Sequence, residues 1–106
     1  MIVEPTPVAL VKPADGAKLK KAPNLLWVPA AKADYYNLQL YRNGTKVLSI
    51  WPSTNHYLLT GTWKFEGKTL KLVPGSYRWY VWPGIGAAAS RTFGTLLGTS
   101  TFVVTK

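Results

Sequence analysis

Few side chains in this sequence could perform acid–base or nucleophilic chemistry. Ser53 lies three residues before the only imidazole, His56, but a serine nucleophile also needs an acid that orients the histidine. Asp34 and Glu66 would form a glycosidase pair only at a separation of roughly 5 to 10 Å, and they belong to separate segments. The full set of carboxylates is Glu4, Asp15, Asp34 and Glu66. We therefore expect no enzymatic activity.

The same inventory argues against metals and cofactors. The sequence contains no cysteine, which excludes thiol catalysis, cysteine-based zinc sites and disulfides. One histidine and four scattered acids do not make a metal site, so no cofactor is expected.

The charge is strongly positive, with 13 Lys and Arg against 4 Asp and Glu and a formal net charge of +9. The densest cluster is Lys18, Lys20 and Lys21, and most other lysines fall at predicted turns and strand ends. Specific nucleic-acid recognition favours arginine and aromatic residues along a basic groove, which argues against it here. Two interpretations stay open: a solvated basic surface that protects strand edges, or attraction to a polyanion such as an acidic cell-wall polymer.

The length of the chain and its frequent proline and glycine residues predict one domain built from short strands. Its 106 residues suit a single domain, with residues 1–7 as an extended N-terminal segment and residues 8–106 as the folded part. Proline and glycine recur at short intervals and no sustained helical period appears, which is typical of β-strands. No apolar run approaches the roughly 18 residues of a membrane span, so no membrane insertion is expected.

The clearest strand is Tyr35–Arg42, where apolar and polar residues alternate. Asn43-Gly44 follows and favours a type I′ turn, because both residues tolerate positive φ. Gly84–Gly98 is predicted to be a long loop, in which Arg91 and Phe93 would make any contact. The other candidate strands are Val8–Val11, Asn24–Val28, Lys46–Trp51, one or two within His56–Leu72, Ser76–Trp82 ended by Pro83, and Ser100–Thr105. Seven or eight strands predict an all-β fold, an antiparallel two-sheet β-sandwich.

The alternation also predicts which side chains form the core. Trp63 is assigned to the core as well, whereas Trp51 is expected to be exposed at a strand end. The predicted core is Trp27, Tyr36, Leu38, Leu40, Tyr77, Trp79, Val81, Phe102 and Val104.

One segment carries a resemblance to a known family. Leu72–Val81 reads Leu-Val-Pro-Gly-Ser-Tyr-Arg-Trp-Tyr-Val and resembles the tyrosine corner of fibronectin type III-like domains, an immunoglobulin-like fold. In that corner a tyrosine, Tyr77 here, turns its hydroxyl back to upstream backbone at the start of strand F. Trp27 resembles the buried tryptophan of strand B, and residues 33–40 resemble strand C of bacterial members. Further matches are Pro13–Gly16 to the early turn and Phe102–Val104 to the closing strand G.

The resemblance covers roughly residues 8–105, with two departures from the pattern. Residues 56–72 are long for a simple strand E, and residues 84–98 make a long loop between strands F and G. The resemblance implies a non-catalytic module of a larger secreted or cell-surface protein, acting as a spacer or binding to neighbouring domains or another protein. Met1–Pro7 lack the features of a signal peptide, so we expect a mature or excised extracellular piece, with a cytoplasmic location left open.

The candidate binding surface is the polar side of strands C and F, which are neighbours in the resembled fold. Aromatic, amide and guanidinium groups there could contact a protein or stack on the sugar rings of a glycan. Alternatively, the rings cover one another and the sheet, as cross-strand pairs do. The residues are Tyr35, Asn37, Gln39, Tyr41, Arg78, Tyr80 and Trp82. Asn43-Gly44-Thr45 also matches a glycosylation acceptor, although the hairpin turn explains it better.

Overall fold

The computed structural model describes residues 10–86 and 92–106, and every regular element among them is a β-strand. None of these residues forms a helix that is long and apolar enough to cross a membrane. In chain order the strands are β1 (Leu10–Lys12), β2 (Ala17–Leu19), β3 (Asn24–Trp27), β4 (Tyr35–Arg42), β5 (Thr45–Ile50), β6 (His56–Leu58), β7 (Thr62–Phe65), β8 (Lys68–Lys71), β9 (Gly75–Ile85), β10 (Thr92–Phe93) and β11 (Gly98–Val104). The predicted all-β class is confirmed, with eleven strands in the described residues where the sequence indicated seven or eight.

The strands form three sheets. One contains β1, β3 and β6 in that order; the largest runs β2-β11-β9-β4-β5 with β10 beside β9; β7 and β8 form a separate hairpin. The sequence predicted only antiparallel pairs, but β2 pairs with β11 in parallel. This pair arises because the turn at Pro13–Gly16 carries the chain across to the edge of the large sheet, where Gly16 N donates to Thr101 O at 2.9 Å.

The β4–β5 hairpin follows the sequence prediction closely. β4 has the predicted bounds, and Asn43 and Gly44 have φ values of 47° and 87°. Arg42 pairs with Thr45 directly across the turn. The two-residue turn therefore sets the register as far as the Tyr41–Lys46 pair, and an irregularity between Leu40 and Tyr41 then shifts it, so that Leu40 pairs with Leu48.

Strand β9 continues past Pro83, where the sequence predicted that it would end. Proline lacks an N–H but keeps its carbonyl, and Pro83 O accepts a hydrogen bond from Gly94 N at 2.9 Å. Tyr36 N, on the neighbouring strand, donates to Pro52 O instead. β10 then pairs with Gly84 and Ile85, so part of the predicted loop 84–98 is strand. Arg91 and the rest of residues 87–91 lie outside the described residues.

The long segment 56–72 contains three strands rather than one or two. β6 joins the three-stranded sheet, whereas β7 and β8 pair with each other through a turn at Glu66 and Gly67. Both turn residues have positive φ, at 52° and 78°. The apolar residues of this segment belong to strands of two different sheets. For this reason the segment does not show one continuous strand period.

All nine predicted core residues are buried, with at most 5% of their surface exposed. Side chains from the three sheets meet in one core: the Trp27 ring lies 5.4 Å from Tyr36 and 6.2 Å from Trp79 between centroids. Trp63 is also buried and donates its indole N–H to Val47 O at 2.7 Å. Trp51 is 54% exposed, as predicted.

The predicted tyrosine corner is present. The Tyr77 hydroxyl donates to Val73 O at 2.8 Å and accepts from Val73 N at 3.2 Å. These bonds fix the connection between β8 and β9, and they hold β9 in the register that places its alternate residues on the surface.

Candidate functional site

The predicted surface residues all lie on one side of β4 and β9, the side away from the core; we call it the outer face. Asn37 pairs with Trp82, Gln39 with Tyr80, and Tyr41 with Arg78 across the two strands. Tyr35 is on the same side, opposite Gly84. Side chains of a strand point alternately to its two faces, so burial of Leu38, Leu40, Trp79 and Val81 sends these residues outward.

Two of the seven residues are not accessible, contrary to the sequence prediction of an exposed position. Tyr35 is 5% exposed and Asn37 is 6% exposed. The Phe93 ring packs edge-on against Tyr35 at 5.7 Å. The Asn37 amide donates to Ile50 O at 3.0 Å and to Ser49 Oγ at 3.2 Å. A partner could therefore reach the remaining five residues only.

Amide and hydroxyl groups along β4 hold one another in place. Gln39 Nε2 donates to Asn37 Oδ1 at 2.8 Å, and the Tyr41 hydroxyl donates to Gln39 Oε1 at 3.0 Å. This chain of hydrogen bonds extends from the buried Asn37 outward to the half-buried Tyr41. It orders the polar side of the outer face before any partner binds.

The aromatic rings on the outer face form a continuous cluster. Tyr41 meets Tyr80 edge-to-face at 5.4 Å, and Tyr80 stacks on Trp82 with centroids 5.8 Å apart and planes at 20°. The Lys46 ammonium lies 5.8 Å from the Tyr41 ring centroid, within the range of a cation–π contact. All three rings are half-buried, so each keeps part of its surface open.

A depression of about 570 Å³ lies beside this cluster. Tyr41, Tyr80 and Trp82 form its aromatic wall, Arg78 its charged wall, and Asn43 and Thr101 contribute polar groups. Arg78 is exposed and donates to Thr99 Oγ1 at 3.3 Å. The arrangement offers ring edges, a guanidinium and neutral polar groups to one partner.

The sequence prediction missed the contribution of β11 to this surface. Thr99 pairs with Tyr80, and Thr101 with Arg78. The signal was available: once Phe102 is assigned to the core, alternation sends Thr101 outward. What was missing was the register between β11 and β9.

Asp15 is the carboxylate beside the β11 edge of this surface. It accepts from the Thr101 hydroxyl at 2.8 Å and from Thr101 N at 2.9 Å. Chiefly because of these hydrogen bonds, with smaller contributions from Ser100 and the charge of Arg78, the pKa of Asp15 lies below its ordinary value of 3.8. The carboxylate thus anchors the Pro13–Gly16 turn to β11.

The candidate catalytic acids are far apart. Asp34 immediately precedes β4 and its carboxylate accepts from Gly86 N at 2.6 Å. Glu66 lines a groove with Thr45 and Lys46, beyond the other end of β4. Eight residues of strand span about 26 Å, well beyond the separation that a glycosidase pair requires.

Within the described parts of the chain, no group of three or more His, Cys, Asp and Glu residues is placed to hold a metal ion. The outer face stands as the main candidate for function because its aromatic rings and Arg78 line one depression. No known protein family, curated protein or solved structure matches this chain.

Proposed function

We propose that this chain is a fibronectin type III-like β-sandwich that serves as a non-catalytic interaction module of a secreted or cell-surface protein. The strand order supports this fold: β1-β3-β6 corresponds to the A-B-E order of immunoglobulin-like sandwiches, and β4-β9-β11 to their C-F-G order. The hydrogen bonds of Tyr77 match the tyrosine corner of the same folds. The parallel β2–β11 pair and the β7–β8 hairpin are additions to that plan.

The observation that carries the function is the composition of the outer face around its depression. Tyrosine, tryptophan and arginine are the residues most often responsible for the affinity of protein interfaces. Here Tyr41, Tyr80, Trp82 and Arg78 line one depression. Their packing against each other and the hydrogen bonds along β4 reduce the side-chain entropy that binding would cost. The outer face is therefore suited to contact another protein.

The ring geometry favours a protein over a neutral glycan. Sugar rings stack on open aromatic faces, whereas the Tyr80 and Trp82 rings stack on each other and Tyr41 packs edge-to-face with Tyr80. These contacts leave edges and corners, together with Arg78, for recognition. Such groups fit the irregular surface of a protein.

The experiment compares Trp82, which is half-buried on the outer face, with Trp51, which is exposed. The chain is immobilised and loaded with secreted and cell-surface proteins, and saturable binding is measured for the wild type, Trp82→Ala, Tyr80→Ala and Trp51→Ala. Trp51 is the matched control, because it is exposed but does not line the depression. We expect Trp82→Ala and Tyr80→Ala to weaken binding at least about tenfold and Trp51→Ala to bind as the wild type does.

Thermal melting of each variant accompanies the binding assay. Variants that keep the wild-type melting temperature but lose binding support the proposal. Absence of any saturable protein ligand, or equal binding by the wild type and Trp82→Ala, contradicts it. A large drop in melting temperature for both outer-face variants would instead assign the rings to holding the sheet together.

A further inference from the structure

The β7–β8 hairpin has one mainly apolar side, which also carries Lys68 beside the turn, and one polar, exposed side. Trp63 pairs with Leu70, and Phe65 with Lys68; Trp63, Phe65 and Leu70 pack against the core. The alternate residues of both strands, among them Lys64 and Lys71, are exposed. The indole of Trp63 fixes the hairpin beside β5 through its bond to Val47 O at 2.7 Å.

Two adjoining depressions lie between this hairpin and the β4–β5 hairpin. The first, of about 360 Å³, includes Lys46 and Lys68, and the second, of about 300 Å³, includes Arg42 and Lys71. Both contain Val47 and Leu70, so they share an apolar floor. We call the two together the hairpin groove.

Basic charge is concentrated around the hairpin groove. Arg42, Lys46, Lys68 and Lys71 line it, and Glu66 is the one carboxylate among its lining residues. Four of the 13 basic residues of the chain therefore line a single groove. Charges of one sign along a groove attract a ligand of the opposite sign over several ångströms.

Arg42 is held in place without being neutralised. Its Nη2 donates to Pro74 O at 2.5 Å, and a Cβ on Gly75 would lie 2.8 Å from its Nε. Among the described residues, the buried Nε has no hydrogen-bond partner. Because the guanidinium is held by the Pro74 carbonyl rather than by a carboxylate, Arg42 keeps its positive charge where it lines the groove, and ordering it for a ligand costs little entropy.

The side chains that line the hairpin groove favour one class of anionic ligand over another. Nucleic acids bind such grooves by stacking bases on exposed aromatic rings, but the aromatic residues that line this groove pack into or against the core, and none of them is exposed: they are Trp63, Phe65 and Tyr77. The groove instead offers ammonium and guanidinium groups, the hydroxyls of Thr45 and Thr69, and the aliphatic side chains of Val47 and Leu70. These groups match the charges, hydroxyls and C–H faces of a charged sugar chain.

We propose that the hairpin groove binds a linear anionic polysaccharide, whose sulfate or carboxylate groups are held by Lys46 and Lys68 at one end and by Arg42 and Lys71 at the other. This site does not depend on the protein partner proposed above, and it adjoins the outer face at Lys46, which lines the groove and also lies over the Tyr41 ring. It gives the hairpin, which is an addition to the sandwich plan, a role of its own.

The test uses two triple variants with the same net charge. Lys46→Gln/Lys68→Gln/Lys71→Gln removes cations from the groove, and Lys18→Gln/Lys20→Gln/Lys21→Gln removes three exposed lysines near β2. β2 and β5 are opposite edges of the large sheet, about 19 Å apart across four strand spacings. Each triple variant lowers the formal charge of +9 by three, to +6.

Binding of heparin and of alginate is measured by titration calorimetry and by elution in salt. We expect the groove variant to lose about tenfold or more in affinity near physiological salt and to show a shallower salt dependence, while the control variant stays within about twofold of the wild type. Glu66→Gln should bind more tightly than the wild type, because it removes the carboxylate from the groove. Preference for heparin identifies sulfate as the bound group, and equal binding of alginate identifies carboxylate.

Three outcomes would overturn the proposal. Equal losses in the two triple variants would mean that binding follows net charge rather than the groove. Elution of the wild type from heparin below physiological salt would show that no site exists. Tighter binding of a single-stranded polynucleotide than of either polysaccharide would assign the groove to nucleic acid. Matching melting temperatures of the variants exclude unfolding as the cause of any loss.

Discussion

At the scale of single residues, Gly84 shows how one missing side chain shapes the outer face. The Tyr35 ring lies flat on Gly84, so that a Cβ at this position would overlap the ring carbons Cζ, Cε1 and Cε2. The ring covers backbone that a strand glycine would otherwise expose, and Phe93 packs edge-on against the ring. This contact explains why Tyr35 is buried although alternation correctly places it on the outer side of β4.

Gly84→Ala should therefore destabilise the protein by about 1–3 kcal/mol, because Tyr35 or the strand must move. Gly61→Ala is the matched control: a Cβ there meets no atom within 4 Å, and we expect it to be neutral or stabilising by up to about 1 kcal/mol. Chemical denaturation measures both. The same Gly84→Ala change made in a Tyr35→Ala background should cost less, and equal costs in the two backgrounds would contradict the contact.

Asp15 gives the stability a defined pH dependence. Its lowered pKa, caused first by the Thr101 hydroxyl, means that the folded chain binds the carboxyl proton less tightly than the unfolded chain does. The ionised carboxylate thus stabilises the fold above the ordinary value of 3.8, and this contribution is lost as the pH falls through the lower folded value. We expect the stability difference between the wild type and Asp15→Asn to shrink as the pH falls from about 6 to about 2. A difference that is constant with pH in denaturation midpoints would refute this.

At the scale of elements, short-range signals were reliable wherever one turn or one alternation decided the outcome. The Asn43-Gly44 turn and the alternation of β4 were both readable from neighbouring residues. Prediction failed for β2, which is three residues long and forms only because β11 lies beside it. It also failed at Pro83, which continues the strand. The Pro83 carbonyl accepts a hydrogen bond from Gly94 N, and the strand pairing does not need the N–H that proline lacks.

The tyrosine corner is an element-scale contact that can be tested alone. Tyr77→Phe removes both hydrogen bonds to Val73 and should cost about 1–3 kcal/mol, because the partly buried backbone groups of Val73 lose their partner. Tyr80→Phe is the control, since its hydroxyl has no hydrogen bond to any described residue, and we expect a change within about 0.5 kcal/mol. Urea midpoints of the two variants measure the difference, and similar values would show that the corner contributes no stability.

At the scale of the whole molecule, the three sheets depend on one core. Trp27 and Trp79 join the two larger sheets, and Trp63 brings the β7–β8 hairpin into the same cluster. A two-stranded hairpin is at best marginally stable alone. The hairpin groove therefore exists only while the three sheets are folded together.

A single unfolding transition should result. Tryptophan fluorescence, which reports the core, and far-ultraviolet circular dichroism, which reports the strands, are expected to give the same melting temperature. Loss of strand signal before the fluorescence change would show that the hairpin or an edge strand melts independently.

The sequence by itself determined the all-β class, the nine residues predicted for the core and the side of β4 and β9 on which each residue lies. These features follow from local rules: strand alternation has a period of two, and glycine and proline restrict the backbone at turns. Only the tertiary structure decided that Tyr35 and Asn37 are covered, that Thr99 and Thr101 join the outer face, and that distant lysines meet Arg42 along one groove. Each of these depends on register and packing between segments far apart in the chain, and no local pattern encodes those contacts.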